Sequence, residues 1–534
     1  MLVGYVSDER YLAIADVLLE FTTAAGPVVA RSTATGAVYA DLPPGEYPVA
    51  LVKTGYGAKR TTAAIAEGVP FLFRLLSDGL LGYAWPKWVR SGESSEFRVH
   101  ADEAYQLSLW RYGLRKELVR PLGWFDEHGP RATVQITPDG DYTQTGVRWN
   151  HFGYASPHHK QYVAAPEASG LYYFHAETES GRFFSFPWIV APSRPQAKIA
   201  VLASNISWNA YNNFGGRSNY IHPDQLPPTP TLNARQELKR YTDAQFSQYA
   251  CRDYAPLSFE RPEPICHIPQ QTQATDPIAG RAACHLAPAE WRLLAWLERE
   301  KFAYDYYAET QLHFDALPLD DYQVLVLSTH PEYWSQKMYD AVKRWVQERG
   351  GRLVYLGGNG LNCDVEFLDE QTCIYRNEDE RADSPAGRPY ESRFHRRHES
   401  EANLLGVAYS PLGIMTAAPY QVIEDGHWVF AGTGLRRGDL FGRRSLHERI
   451  PGGASGHETD KITDSSPPNV RLLAQGMNPD QGGAQMILYP TDQGAVFSVG
   501  SICWPSSLLV DEAVSIITAN VLHRFLEPRS GSLA

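Results

Sequence analysis

Tyr322-Gln323-Val324-Leu325-Val326-Leu327-Ser328-Thr329-His330-Pro331-Glu332-Tyr333-Trp334-Ser335 is the stretch whose reading decides the fold. Its apolar run, Tyr322 to Leu327, is short and does not alternate, as expected of a strand covered on both faces. Ser335 can cap a helix whose Met338, Val342, Trp345 and Val346 share one face. Gly350-Gly351 would stop that helix, and Arg352 to Leu356 would make the next strand. Strand, helix, strand implies a parallel pairing. His330 and Glu332 then sit at a strand exit, where open α/β sheets carry ligands and chemistry.

The same alternation extends outward. Lys198 to Ala203 reads as a buried strand. Ala289 to Glu300 reads as a helix, with Trp291, Leu294, Ala295 and Leu297 at helical spacing. Near the C-terminus come a strand from Gln485 to Tyr489, a Thr491-Asp492-Gln493-Gly494 turn, a strand from Ala495 to Gly500, and an amphipathic helix from Asp511 to Leu526. Upstream of Ala191-Pro192-Ser193-Arg194-Pro195 the style is different. Pro48 to Lys53, Glu96 to His100, Tyr105 to Trp110, Ala132 to Ile136 and Leu171 to Ala176 are short strands between Gly, Pro and Asp turns. The expected architecture is multidomain and begins all-β: a transthyretin-like module over residues 1–78, then a β-sandwich over 79–193. An α/β domain with a mostly parallel sheet is expected over 194–534.

A chain of 534 residues, 43% hydrophobic and 12% aromatic, is globular and too long for one core. Its net charge of -12 argues against nucleic acid or an anionic membrane as partner and leaves a small neutral ligand open. The six cysteines form no Cys-x-x-Cys pair, so neither a zinc ribbon nor a disulfide framework is expected. Residues Met1 to Asp8 lack a signal-peptide pattern, and no apolar stretch approaches the ~20 residues of a membrane helix. These features predict a soluble cytoplasmic protein.

Three strand exits carry unusual polar content. The first is Ser204-Asn205-Ile206-Ser207-Trp208-Asn209-Ala210-Tyr211-Asn212-Asn213-Phe214-Gly215-Gly216-Arg217-Ser218-Asn219-Tyr220; the second is His330 to Trp334; the third is Gly357-Gly358-Asn359-Gly360. Parallel strands would put all three on one rim, collecting phenols, a carboxylate, an imidazole and an amide. Phenolate and carboxylate oxygens are hard donors suited to ferric iron, which can displace a phenol proton despite its usual pKa of about 10. A Tyr, Tyr, Glu centre with His330 as base or orienting group is one reading. The plainer one makes the tyrosines packing residues, Glu332 a helix cap favoured by roughly 0.3–1 kcal/mol, and the glycines tight turns.

Other motifs are weak. Gly452-Gly453-Ala454-Ser455-Gly456-His457 falls short of a nucleophile elbow, and there is no His-Glu-x-x-His, phosphate loop or dinucleotide fingerprint. His158-His159 reads as a surface pair. The cluster Arg393, His395, Arg396, Arg397 and His398 reads as a solvated excursion.

Taken together, the run Ala210 to Tyr220, the segment Thr329-His330-Pro331-Glu332-Tyr333-Trp334-Ser335 and Gly357-Gly358-Asn359-Gly360 resemble the large (beta) subunit of N,N-dimethylformamidase. The resemblance runs from about Lys198 to the C-terminus. It implies a mononuclear iron, in its ferric form, held by two tyrosinates and one glutamate, activating water against a small N-substituted formamide. Tyr211 and Glu332 match as ligands and Tyr220 as the second tyrosine, with Tyr254 in reserve. His330 and Asn359 match the positions beside the metal, and Glu458 the family's second carboxylate. The resemblance leaves open a homo-oligomer and a small accessory subunit.

The leading expectation is therefore an iron-dependent amidohydrolase acting on a small linear amide. The alternative is a non-catalytic ligand- or carbohydrate-binding protein on the same scaffold, which the thirteen tryptophans neither favour nor exclude. A glutamine-amidotransferase-like scaffold without chemistry is a third reading. An active version would need a cysteine at a strand-to-helix elbow, and none of the six sits at one.

Overall fold

The computed structural model describes residues 1–8, 11–56, 58–75, 79–101, 103–125, 161–214, 218–220, 228–232, 256–278, 282–377 and 390–528. Ala132 to Ile136, His158-His159 and Tyr254 lie outside the described residues.

The first core is made by short strands, all paired antiparallel except Leu2–Ser7 with Phe71–Arg74. Gly26–Arg31, Leu18–Thr23, Gly45–Val52 and Ala58–Ile65 form one sheet in that order. Ala37–Tyr39, Leu2–Ser7 and Phe71–Arg74 form a smaller one. Leu19, Phe21, Val38, Leu51 and Phe73 fill the core.

A five-stranded sheet follows, ordered Lys116–Phe125, Tyr105–Tyr112, Gly170–Thr178, Phe183–Ala191 and Trp88–Arg90. Successive side chains of a strand point to opposite faces, and here both faces are covered. Tyr172, Phe174 and Val190 enter a core with Phe97, while Leu171, Tyr173 and Ile189 join the core of the C-terminal part.

That C-terminal part is built on a nine-stranded sheet, ordered Tyr304–Ala308, Ile199–Ala203, Val324–Thr329, Arg352–Gly357, Ala495–Ser498, Gln485–Pro490, Arg471–Gly476, Tyr420–Val422 and Leu440–Phe441. The first five strands are parallel neighbours. The remaining pairings are antiparallel. The expected α/β domain with a mostly parallel sheet is therefore incorrect: the sheet is mixed, and the chain is mostly β, 39% strand against 17% helix. The physical reason is connection length. A parallel return needs a crossover of a dozen or more residues, whereas Gln485–Pro490 and Ala495–Ser498 are joined by the tight turn in which Gly494 N donates to Thr491 Oγ1 at 2.7 Å.

The helices Ala287–Arg299, Gln336–Glu348 and Glu512–Leu526 bury Trp291, Leu294, Val342, Trp345, Ile517 and Val521 in this core. Ser335 does cap its helix, accepting from Met338 N at 3.3 Å. Among the described residues no helix is long and apolar enough to cross a membrane.

Candidate active site

Ile199–Ala203, Val324–Thr329 and Arg352–Gly357 are adjacent and parallel, so the segments leaving their carboxyl ends share one rim. The first exit becomes the helix Asn205–Tyr211, which ends with Tyr211 buried. Asn219 N donates to Ala210 O at 2.8 Å, returning the chain so that the Tyr220 ring stacks on Tyr211 with centroids 4.3 Å apart. At the second exit Thr329 has φ +55°, and at the third Asn359 has φ +53° and Leu361 φ +55°. Left-handed backbone at non-glycine residues costs of order 1–3 kcal/mol each and gathers at functional sites. Here it turns His330, Glu332 and Asn359 toward each other.

Four oxygens converge. Tyr211 Oη donates to Glu332 Oε2 at 2.8 Å; Tyr220 Oη lies 3.0 Å from each Glu332 oxygen and 2.7 Å from Tyr211 Oη. His330 Nε2 lies 3.3 Å from Glu332 Oε2 and 3.2 Å from Glu458 Oε2. Asn359 Nδ2 donates to Glu458 Oε2 at 2.8 Å and lies 3.4 Å from His330 Nε2. The structure thus brings Tyr211, Tyr220, Glu332, His330, Asn359 and Glu458 into one cluster.

Glu458 comes from far along the chain. Ser455–Gly456 pairs with Ala417–Ala418, and His457 has φ +67°, which swings Glu458 onto the rim. Gly358 permits this approach, since a Cβ there would stand 2.5 Å from Glu458 O and 2.8 Å from Ile502 N. Behind Asn359 is buried Asp460, whose carboxyl burial pushes up to about 7 against the lowering effect of hydrogen bonds from Tyr355 and the Asn359 backbone.

Three further neighbours adjoin the cluster, of which only Tyr333 lies in a strand exit singled out from the sequence. His285, in the short helix Ala282–His285, faces His330 with their Nδ1 atoms 2.9 Å apart, and its ring meets Tyr211 edge-on at 4.5 Å. Tyr333 Oη lies 2.5 Å from Tyr220 Oη. Arg393 Nη1 stands 3.9 Å from Glu332 Oε1 and donates to Cys363 Sγ at 3.2 Å. The run containing Arg393 is not simply a solvated excursion: Phe394 is buried in the core, and Arg397 Nε donates to Asp364 Oδ2 at 2.8 Å. His330 is singled out from the sequence together with Glu332, Asn359 and Glu458; its contact with His285, and those of Arg393 with Glu332 and Cys363, are joined only by folding.

Two phenol oxygens and a carboxylate are hard donors that a small trivalent cation could use, with three negative charges once the phenols ionise. Among the described residues no three or more His, Cys, Asp and Glu side chains are grouped to hold a metal ion. Any metal here would depend on the phenols. Glu458, flanked by an imidazole and an amide, has the surroundings of a general base.

A mixed-sheet protein with a tyrosine- and carboxylate-rich cluster at its parallel strand exits is the class that fold and site define. Residues 125–515 match the family described as N,N-dimethylformamidase beta subunit-like, C-terminal, and the chain belongs to that family. No curated protein matches the chain. Among solved structures, a DUF3823 family protein from Bacteroides ovatus is similar over 35% of this chain and 98% of its own, at 8% identity and TM-score 0.13. The Bacillus anthracis TIE protein is similar over 38% of this chain and 36% of its own, at 13% identity and TM-score 0.14. Likenesses this slight carry no argument about fold or function.

Proposed function

We propose that the chain is an iron-dependent hydrolase of a small linear amide resembling an N-substituted formamide, with Tyr211, Tyr220 and Glu332 as the iron ligands. The observation that carries this reading is the convergence of the two phenol oxygens and the Glu332 carboxylate within 3.0 Å of one another, on largely buried side chains. The donor set fits ferric iron in hardness and in charge. The family's name, that of an N,N-dimethylformamidase subunit, supports an amide substrate and an oligomeric enzyme.

Ferric iron, when bound, supplies Lewis acidity toward an amide carbonyl and a water. The chain's own residues handle the proton. Glu458 is the more accessible carboxylate, its side chain 14% exposed against 3% for Glu332. It takes a proton from the attacking water and returns it to the leaving nitrogen, so that one water is consumed and a carboxylic acid and an amine are released. His330 and the Asn359 amide hold Glu458 in place from two sides. Asn359 Oδ1, buried and without a hydrogen-bond partner among the described residues, is an acceptor for an N–H of substrate or amine. A passive sugar site would present its rings to solvent, whereas Tyr211 is 5% exposed and Tyr333 0%.

The test is metal analysis with a visible spectrum on wild type, Glu332→Ala, Tyr211→Phe, Tyr220→Phe and Tyr254→Phe. About one iron per chain and a tyrosinate-to-iron band are expected in wild type, both lost in Glu332→Ala. Normal iron content in that variant sinks the assignment, and loss of the band in Tyr254→Phe but not Tyr220→Phe transfers the second ligand to Tyr254.

A further inference from the structure

We propose that Tyr333 is a positioning residue that donates a hydrogen bond to the Tyr220 oxygen and thereby sets how strongly that oxygen binds the cation. The proposal rests on the reading of Tyr220 as an iron ligand. It starts from two adjacent pairs of residues, Asn219-Tyr220 and Glu332-Tyr333, lying side by side. Tyr220 Oη is 3.0 Å from each Glu332 oxygen, Asn219 Nδ2 donates to Tyr333 Oη at 2.8 Å, and Tyr333 Oη is 2.5 Å from Tyr220 Oη.

Either phenol can donate across the last contact, but a Tyr220 oxygen ionised on the cation has no proton left to give. Tyr333 Oη, which also accepts an N–H from Asn219, is then the donor. The Asn219 amide is itself turned this way by Asn377, whose Nδ2 donates to Asn219 Oδ1 at 2.5 Å. A separation of 2.5 Å puts the two phenol oxygens within hydrogen-bonding reach. The Tyr333 ring is fully buried, paired in a short strand with Cys363 and packed edge-on against Tyr375 at 4.8 Å, so the phenol is held on this line. A phenolate that accepts a hydrogen bond gives up electron density less readily than one that accepts none. Its charge transfer to a bound ferric ion is then shifted to higher energy.

Wild type and Tyr333→Phe, each purified and loaded with ferric iron, are compared for iron per chain and visible absorption. The expected result is unchanged iron content with the charge-transfer band moved to longer wavelength. A band that stays in place at equal iron content overturns the proposal. A wild type that binds no iron and shows no band removes the reading beneath it, and the proposal falls with it; that failure appears before any variant is compared. If Tyr333→Phe does not fold, by circular dichroism, Asn219→Ala decides. It keeps the Tyr333 phenol and removes the amide that donates to its oxygen and holds it on this line, so a smaller shift in the same direction supports the proposal and no shift overturns it.

Discussion

Asp460 holds Asn359 from behind: its Oδ1 accepts the Asn359 backbone N–H at 2.7 Å, while its Oδ2 accepts the Tyr355 phenol at 2.7 Å. The same phenol oxygen accepts Gly360 N at 2.7 Å, so one buried carboxyl and one tyrosine pin the turn that presents Asn359. Asp460→Ala leaves two buried donors without their acceptor, at about 1–3 kcal/mol each. Stability should fall by roughly 2–6 kcal/mol, read as a lower urea midpoint. Asp460→Asn keeps an acceptor oxygen and should lose clearly less; equal losses would contradict the clamp.

Glu458 and Glu332 should separate in their effects. Glu458→Gln preserves shape and removes the base, so turnover of a formamide should drop by roughly 10²–10⁴-fold while iron content stays at the wild-type level. Glu332→Gln should lose the iron. Simultaneous metal assay and kinetics on both variants check this, and iron loss in Glu458→Gln would move that carboxylate into the ligand set.

Gly358 is a spacer. A methyl at this position meets the Glu458 carbonyl at 2.5 Å and Ile502 N at 2.8 Å, both backbone atoms that cannot swing aside. Gly358→Ala should therefore cost about 1–3 kcal/mol, the usual range for overpacking, and lower turnover by displacing Glu458. An unchanged denaturation midpoint together with unchanged kinetics would show that the two segments can separate freely.

Stability should decline from mildly acidic to mildly alkaline pH. Burial pushes the Glu401 carboxyl up to about 8 and that of Glu290 to about 7. Both folded-state values exceed the unfolded ones, so the folded chain retains protons that the unfolded chain releases near pH 4. The resulting stabilisation is complete below that pH and is lost as pH rises toward 7 and 8, at about 1.4 kcal/mol per unit and per group. Glu401→Gln, neutral throughout, should flatten the fall in Tm between pH 5 and 8. A variant with the wild-type slope would refute this cause.

Much of the parallel half of the sheet is legible locally, because Val324 to Leu327 and Lys198 to Ala203 are continuous apolar runs bounded by caps and glycines. The other half is harder to read. Tyr420–Val422 and Leu440–Phe441 are too short to show a period. The turn at Thr491 to Gly494 is recognisable in sequence, and it already implies an antiparallel return; extending the parallel pattern across it is what misassigned the sheet. For the site, the resemblance selects Tyr211, Glu332 and His330, and folding adds what no spacing conveys. His285 has nothing in its own neighbourhood to mark it, and Arg393 is hidden in a basic run whose neighbour Phe394 is the anchor.

Glu458 arrives on its own strip of backbone, hung from the Ser455–Gly456 and Thr459–Lys461 pairings, whereas Tyr211, Tyr220 and Glu332 follow the parallel strands. Glu458 and the oxygen cradle thus belong to separate stretches of chain, joined through the side chains of His330 and Asn359. If the chain is the amide hydrolase proposed above, a change of length or tilt in the glycine-rich strip at 452–458 would alter which amides fit, while the parallel-strand exits go on presenting Tyr211, Tyr220 and Glu332 together.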